Sequence, residues 1–128
     1  MRCAETTAAE LLALADHVAT VPHPELRSAW ARACAILARR ALEAAVDALW
    51  KQRTGDMPDR TQVSMRAKLL CLGEFVDADV AEDVAYTWSS LSRACHHHPY
   101  ELAPSGVELQ SLLETVKRLV SSLTVAST

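Results

Sequence analysis

The segment VAYTWSSLSRACHHHPYEL, residues 84 to 102, begins as an amphipathic helix and runs into a proline. Val84, Trp88, Leu91 and Cys95 recur at steps of three and four, so at about 100° per residue they share one apolar stripe. Arg93 and His97, one turn apart, point away from that stripe, and the core does not claim them. Pro99 lacks a backbone N–H and disfavours the α region at the residue before it. The helix is therefore predicted to end near His97, with His98 leaving it and folding back over Arg93. Arg93, His96, His97, His98, Tyr100 and Glu101 gather more ionisable chemistry than any other span of the chain. Tyr86, Ser89 and Ser90 share the polar side with Arg93, a face suited to a groove or a subunit contact.

Outward from this segment the helical signature continues. Half of the 128 residues are hydrophobic, only three are glycine and five proline, and β-branched runs are missing, so an all-α fold is predicted. A chain of this length is expected to form one domain, residues 1–128, around one core. The first helix is read over residues 5–20, with Thr6 or Thr7 as N-cap, Glu10 completing a capping box, and Leu11, Leu12, Ala15 and Val18 on its apolar face. After VPHP at 21–24, a long helix is predicted from Pro24 to Arg53. Trp30, Ala33, Leu37, Ala41, Ala44 and Ala48, with Leu26, Ile36, Val46 and Leu49, give it an apolar surface wide enough for a central position or a dimer seam.

Gly55 and Pro58 mark the connection TGDMPDRT, 54–61. Thr61 or Ser64 opens a short third helix with Met65, Leu69, Leu72 and Phe75 inward and Gly73 near its end. Asp77 or Asp79 caps the fourth, with Glu82 and Asp83 in its first turn. Ser105 and Glu108 repeat the capping-box spacing before a last helix, whose apolar face is Val107, Leu109, Leu112, Val116, Leu119, Val120 and Leu123. The tail SSLTVAST, 121–128, is expected to fray.

The order Arg93, four residues, His98, one residue, Tyr100 at a helix end resembles the signature of the HEPN superfamily, the α-helical domains of many bacterial toxin, defence and RNA-processing systems. The wider stretch 60–115 is similar in texture to small HEPN-type proteins of actinobacterial type. The resemblance implies a four- to five-helix up-and-down bundle that dimerises, so that the Arg and His of two copies build one metal-independent endoribonuclease site. Arg93 would stabilise the phosphorane-like charge, and His98, with an imidazole pKa of about 6.5, would act as general acid or base. His96, His97 and Tyr100 would position phosphate, with Glu101 in support. In the toxins of this superfamily paired with minimal nucleotidyltransferases, the tyrosine two residues after the His is adenylylated, and that position is Tyr100 here. RNA as substrate, and a nucleotidyltransferase or other antitoxin as partner, follow from the same resemblance. One departure is Ala94, where active members often carry Asn, Asp or His after the Arg. The alternative is a catalytically inactive HEPN-like interaction and dimerisation module, in which Tyr100 and Glu101 hold Arg93.

Several other classes are set aside. With three glycines there is no phosphate-binding glycine-rich loop, and no G-x-S-x-G nucleophile motif occurs. Cys3, Cys34, Cys71 and Cys95 are far apart without C-x2-C spacing, and are read as small buried apolar groups in a reducing cytosol. Consecutive helical histidines diverge by about 100° and do not converge on one tetrahedral ion, so neither metal nor cofactor is expected. No apolar run approaches about 18 residues, and Glu5 and Glu10 interrupt the apolar residues after Arg2. Neither a membrane span nor a signal peptide is expected, and the chain is placed in the cytoplasm. The net charge of −3 conceals nine basic against four acidic residues between Arg27 and Lys68. Glu43 and Asp47 interrupt that basic segment, which is therefore read as meeting acidic parts of its own fold or of a partner subunit before phosphate.

Overall fold

A computed structural model describes residues 7–20, 27–55, 63–96 and 105–127. Its helices are α1 (Ala8–Thr20), α2 (Arg27–Thr54), α3 (Met65–Cys71) with a 3-10 turn over Leu72–Glu74, α4 (Ala78–Cys95) and α5 (Gly106–Ala126). No strand occurs among the described residues.

Short-range side chains fix where these helices start. Thr7 Oγ1 accepts from the Glu10 N–H at 3.2 Å while Glu10 Oε2 accepts from the Thr7 N–H at 3.3 Å, a reciprocal capping box. Ser64 caps α3 by accepting from the Ala67 N–H at 3.2 Å, and Ser105 caps α5 by accepting from the Glu108 N–H at 3.1 Å. Each satisfies a donor that helix geometry leaves without an internal partner. Asp77 precedes α4 without a side-chain cap bond. At the end of α2, Gly55 takes φ +69°, and its N–H reaches the Lys51 carbonyl at 3.1 Å, the left-handed stop that glycine adopts without a Cβ penalty.

α2 lies against α1, α3, α4 and α5. Its buried residues are Ala31, Cys34, Ala35, Ala38, Ala41, Leu42, Ala45, Val46 and Leu49. This differs from the sequence-based stripe: Ala41, Val46 and Leu49 are buried as expected, but Ile36 and Ala48 face solvent. Arg32, Arg39, Arg40, Glu43 and Asp47 share one side of α2, and alanines are spread over the rest, so its partners choose which alanines are buried, and the small side chains let them approach closely.

Contacts at both ends give the directions. α1 runs antiparallel to α2, with the Trp30 indole N–H donating to the Val18 carbonyl and Cys34 Sγ lying 3.7 Å from the Ala15 carbonyl. α4 is also antiparallel to α2: Trp88 Nε1 donates to Glu43 Oε2 at 3.1 Å, and Cys95, two turns later, feels the charge of Arg39, one turn earlier. Lys117 meets Asp16 at 2.9 Å between α5 and α1, and Lys68 meets Asp47 at 2.7 Å between α3 and α2. The Trp50 and Phe75 rings stack edge to face with centroids 5.8 Å apart.

Three further expectations change. Val107 is 82% exposed, and Leu113 takes the buried place instead. The tail does not fray at residue 121: α5 continues to Ala126, Leu123 is fully buried, and Arg53 Nη2 donates to the Ala126 carbonyl at 2.9 Å. Cys34 is buried as read, but Cys95 is only half-buried and Cys71 is exposed at the end of α3.

Candidate functional site

On α4, Asp83, Tyr86, Ser90 and Arg93 follow one another at steps of three, four and three. On α5, Glu108, Ser111, Thr115 and Arg118 repeat the same spacing. Each series forms a stripe along one side of its helix, beside residues that the core takes, Val84 and Leu91 on α4 and Leu109 and Val116 on α5. The two polar stripes face each other as walls of an open cleft of about 760 Å³. Thr87, Ala94 and Leu112 also line it, and Arg32 enters from α2.

The helices run in opposite directions, so the charges are arranged end to end. Asp83 Oδ2 lies 3.9 Å from Arg118 Nη1, with both side chains more than half exposed. Glu108 shares the cleft with Arg93 and His96, both of them exposed. Among the described residues Arg93 makes no ion pair within 4.0 Å. Among the described residues, three guanidiniums from three helices thus line the cleft against two carboxylates, Asp83 and Glu108. Tyr86, also on its wall, is 74% exposed.

α4 ends earlier than predicted. Its last helical residue is Cys95, and His96 is extended at φ −87°, ψ 139°, with its N–H bonded to the Arg93 carbonyl at 3.3 Å. Histidine is a weak helix former, and the last turn closes with an i to i−3 bond that tightens it. The described helix thus stops one residue before His96, the C-cap. Of the predicted site residues, Arg93 and His96 come together in the cleft. His97, His98, Tyr100 and Glu101 lie outside the described residues, as does the expected fold-back of His98 over Arg93.

The opposite side of α4 faces α2. Burial pushes the Cys95 thiol up, Arg39 draws it down and Glu43 adds to the rise, so the thiol stays protonated at neutral pH. Ser92 Oγ and Arg39 Nε are buried there without a hydrogen-bond partner among the described residues. A second hollow of about 780 Å³ lies between α1, α2 and the end of α5, where Arg40 and Lys51 stand with Glu43 and Asp47 among alanines. Among the described residues that line it there is neither an aromatic side chain nor a surplus of positive charge. No group of three His, Cys, Asp or Glu residues among those described is placed to hold a metal ion. No described helix is long and apolar enough to cross a membrane.

Tyr86, Ser90 and Arg93 were legible as one face from the sequence. The α5 wall was not singled out, although its spacing of three, four and three was a signal open to a residue-by-residue count. Arg32 had no such signal, since only the packing of α2 brings it to the cleft. Compared with protein-family models, curated proteins and solved structures, the chain finds no match.

Proposed function

We propose that the chain is a HEPN-type, metal-independent endoribonuclease of a toxin, defence or RNA-processing system, a helical bundle whose active form is a homodimer. The observation that supports it is Arg93: exposed at the end of α4, lining a cleft, and without an ion pair among the described residues. A guanidinium so held is open to a phosphodiester, whereas one locked onto a carboxylate would not be.

In this reading a general base takes the proton of a ribose 2′-hydroxyl, whose oxygen attacks the adjacent phosphorus. The 5′-oxygen leaves with a proton from a general acid, producing a 2′,3′-cyclic phosphate and a 5′-hydroxyl. His98 fills the acid or base role by resemblance, and Arg93 stabilises the charge that builds on the non-bridging oxygens. The second copy contributes the same pair across the dimer. Tyr100 is the residue a partner nucleotidyltransferase would modify; with His96 and His97 it positions phosphate, and Glu101 is in support.

The test is incubation of unstructured RNA with the full chain in excess EDTA, followed by analysis of the product termini. Cyclic phosphate ends that disappear in His98→Ala, together with a dimeric mass in solution, are the expected result. Equal cleavage by His98→Ala would refute the mechanism.

Ala94 favours a second reading. It packs against the core and brings no polar group to the cleft where active relatives of the proposed family often place one. In that reading the chain is an inactive interaction module, which dimerises and leaves RNA intact.

A further inference from the structure

The cleft carries more positive charge and more open aromatic surface than one Arg93 needs for chemistry. Arg118 stands on the α5 wall beside Asp83, and Arg32 reaches in from α2. From Asp83 to Arg93 the α4 wall rises about 15 Å at 1.5 Å per residue. That is several times the spacing of about 3.4 Å between stacked nucleotides of one strand. In length the cleft therefore matches a few stacked nucleotides.

We propose that the α4–α5 cleft is a binding track for single-stranded RNA, with Arg118 and Arg32 on backbone phosphates and the Tyr86 ring against a base. The assignment rests on the ribonuclease reading of Arg93 and adds the residues that hold its substrate. Arg118 is available because its contact with Asp83 is long, at 3.9 Å, and solvent-exposed, the kind of pair that contributes little and yields to a phosphate. Asp83 and Glu108 oppose the strand and keep its binding weak and salt-sensitive, so release is fast. Tyr86 selects for unpaired bases, which present a face to stack on, whereas duplex bases are stacked on one another. Ser90 and Ser111, on opposite walls, supply hydroxyls that a ribose 2′-hydroxyl can bond and a deoxyribose cannot.

The test is fluorescence anisotropy of a labelled single-stranded RNA of about ten nucleotides with the full chain in EDTA, over a salt series, with cleavage followed on the same samples. The same sequence as DNA serves as comparison. Arg118→Gln and Arg32→Gln are each expected to weaken binding and to lower the slope of log affinity against log salt by about 0.7. Tyr86→Ala is expected to lose about five-fold or more in affinity, with Tyr86→Phe retaining it. Arg66→Gln, on the exposed face of α3 away from the cleft, is expected to change neither.

The proposal is overturned if Arg66→Gln weakens binding as much as the cleft variants, if the cleft variants bind as the parent does, or if DNA binds equally well. RNA binding that depends on these residues without cleavage supports the track and removes the nuclease reading. Cleavage with parental affinity in all three cleft variants supports the nuclease reading and removes the track.

Discussion

Leu91 and Val107 show how far a single residue's surroundings decide its weight. Leu91 is fully buried in α4, two residues before Arg93, and Leu91→Ala is expected to lower unfolding free energy by about 2–5 kcal/mol in urea melts. Val107 is open to solvent, and Val107→Ala is expected to stay within about 0.5 kcal/mol of the parent. The sequence pattern placed Leu91 correctly because its neighbours at three- and four-residue steps are apolar. It misplaced Val107 because the first turn of α5 precedes the contact that buries Leu109 and Leu113. Cys34 adds a pH-dependent prediction. Burial raises its thiol above the ordinary 9.0, so above that pH the unfolded chain loses the proton first and binds fewer protons than the fold. Its contribution to stability is complete below pH 9.0 and is lost as pH rises from there through the raised value. Urea melts across this range are expected to show stability falling with pH, and falling less steeply in Cys34→Ala; identical slopes would show that the thiol is not shielded.

At the scale of the element, caps were the most legible features, because a Thr–Glu or Ser–Glu pair three residues apart acts through its own backbone and needs no partner helix. Ser105→Ala is expected to lower stability by about 1 kcal/mol and to loosen the first turn of α5, as read by amide exchange. The other end of α5 was misread as a fraying tail because its serines and threonines are polar. Leu123 and the Arg53 bond to the Ala126 carbonyl come from α2 packing alongside, information absent from the local sequence. Leu123→Ala is expected to lower stability by about 2–5 kcal/mol, with amide protection persisting past residue 121 in the parent. The phase of α2 was unreadable for a related reason. Its charged residues mark a solvent side, but alanine, small enough to sit in or out of a core, leaves the edges of the buried face open until the neighbours are placed.

For the whole molecule, the all-helical class followed from composition, whereas the candidate site is a product of assembly. Arg93 and Tyr86 could be read as one helix face, but the cleft exists only where α5 sets a second polar stripe opposite them and α2 adds Arg32. Such joint placement depends on contacts between residues far apart in sequence, which no local motif encodes. In the proposed function, Arg93 in this cleft stabilises charge during metal-independent RNA cleavage. Because Arg93 is exposed, Arg93→Ala is expected to keep the parental melting temperature, so its effect on rate reports on chemistry and not on folding. The most direct measurement is the single-turnover rate of RNA cleavage in EDTA by the parent and by Arg93→Ala at matched folded concentration. The expected result is cyclic-phosphate products from the parent and a rate lower by about 100-fold or more in the variant. Equal rates in the two proteins, or no cleavage by the parent, would contradict it.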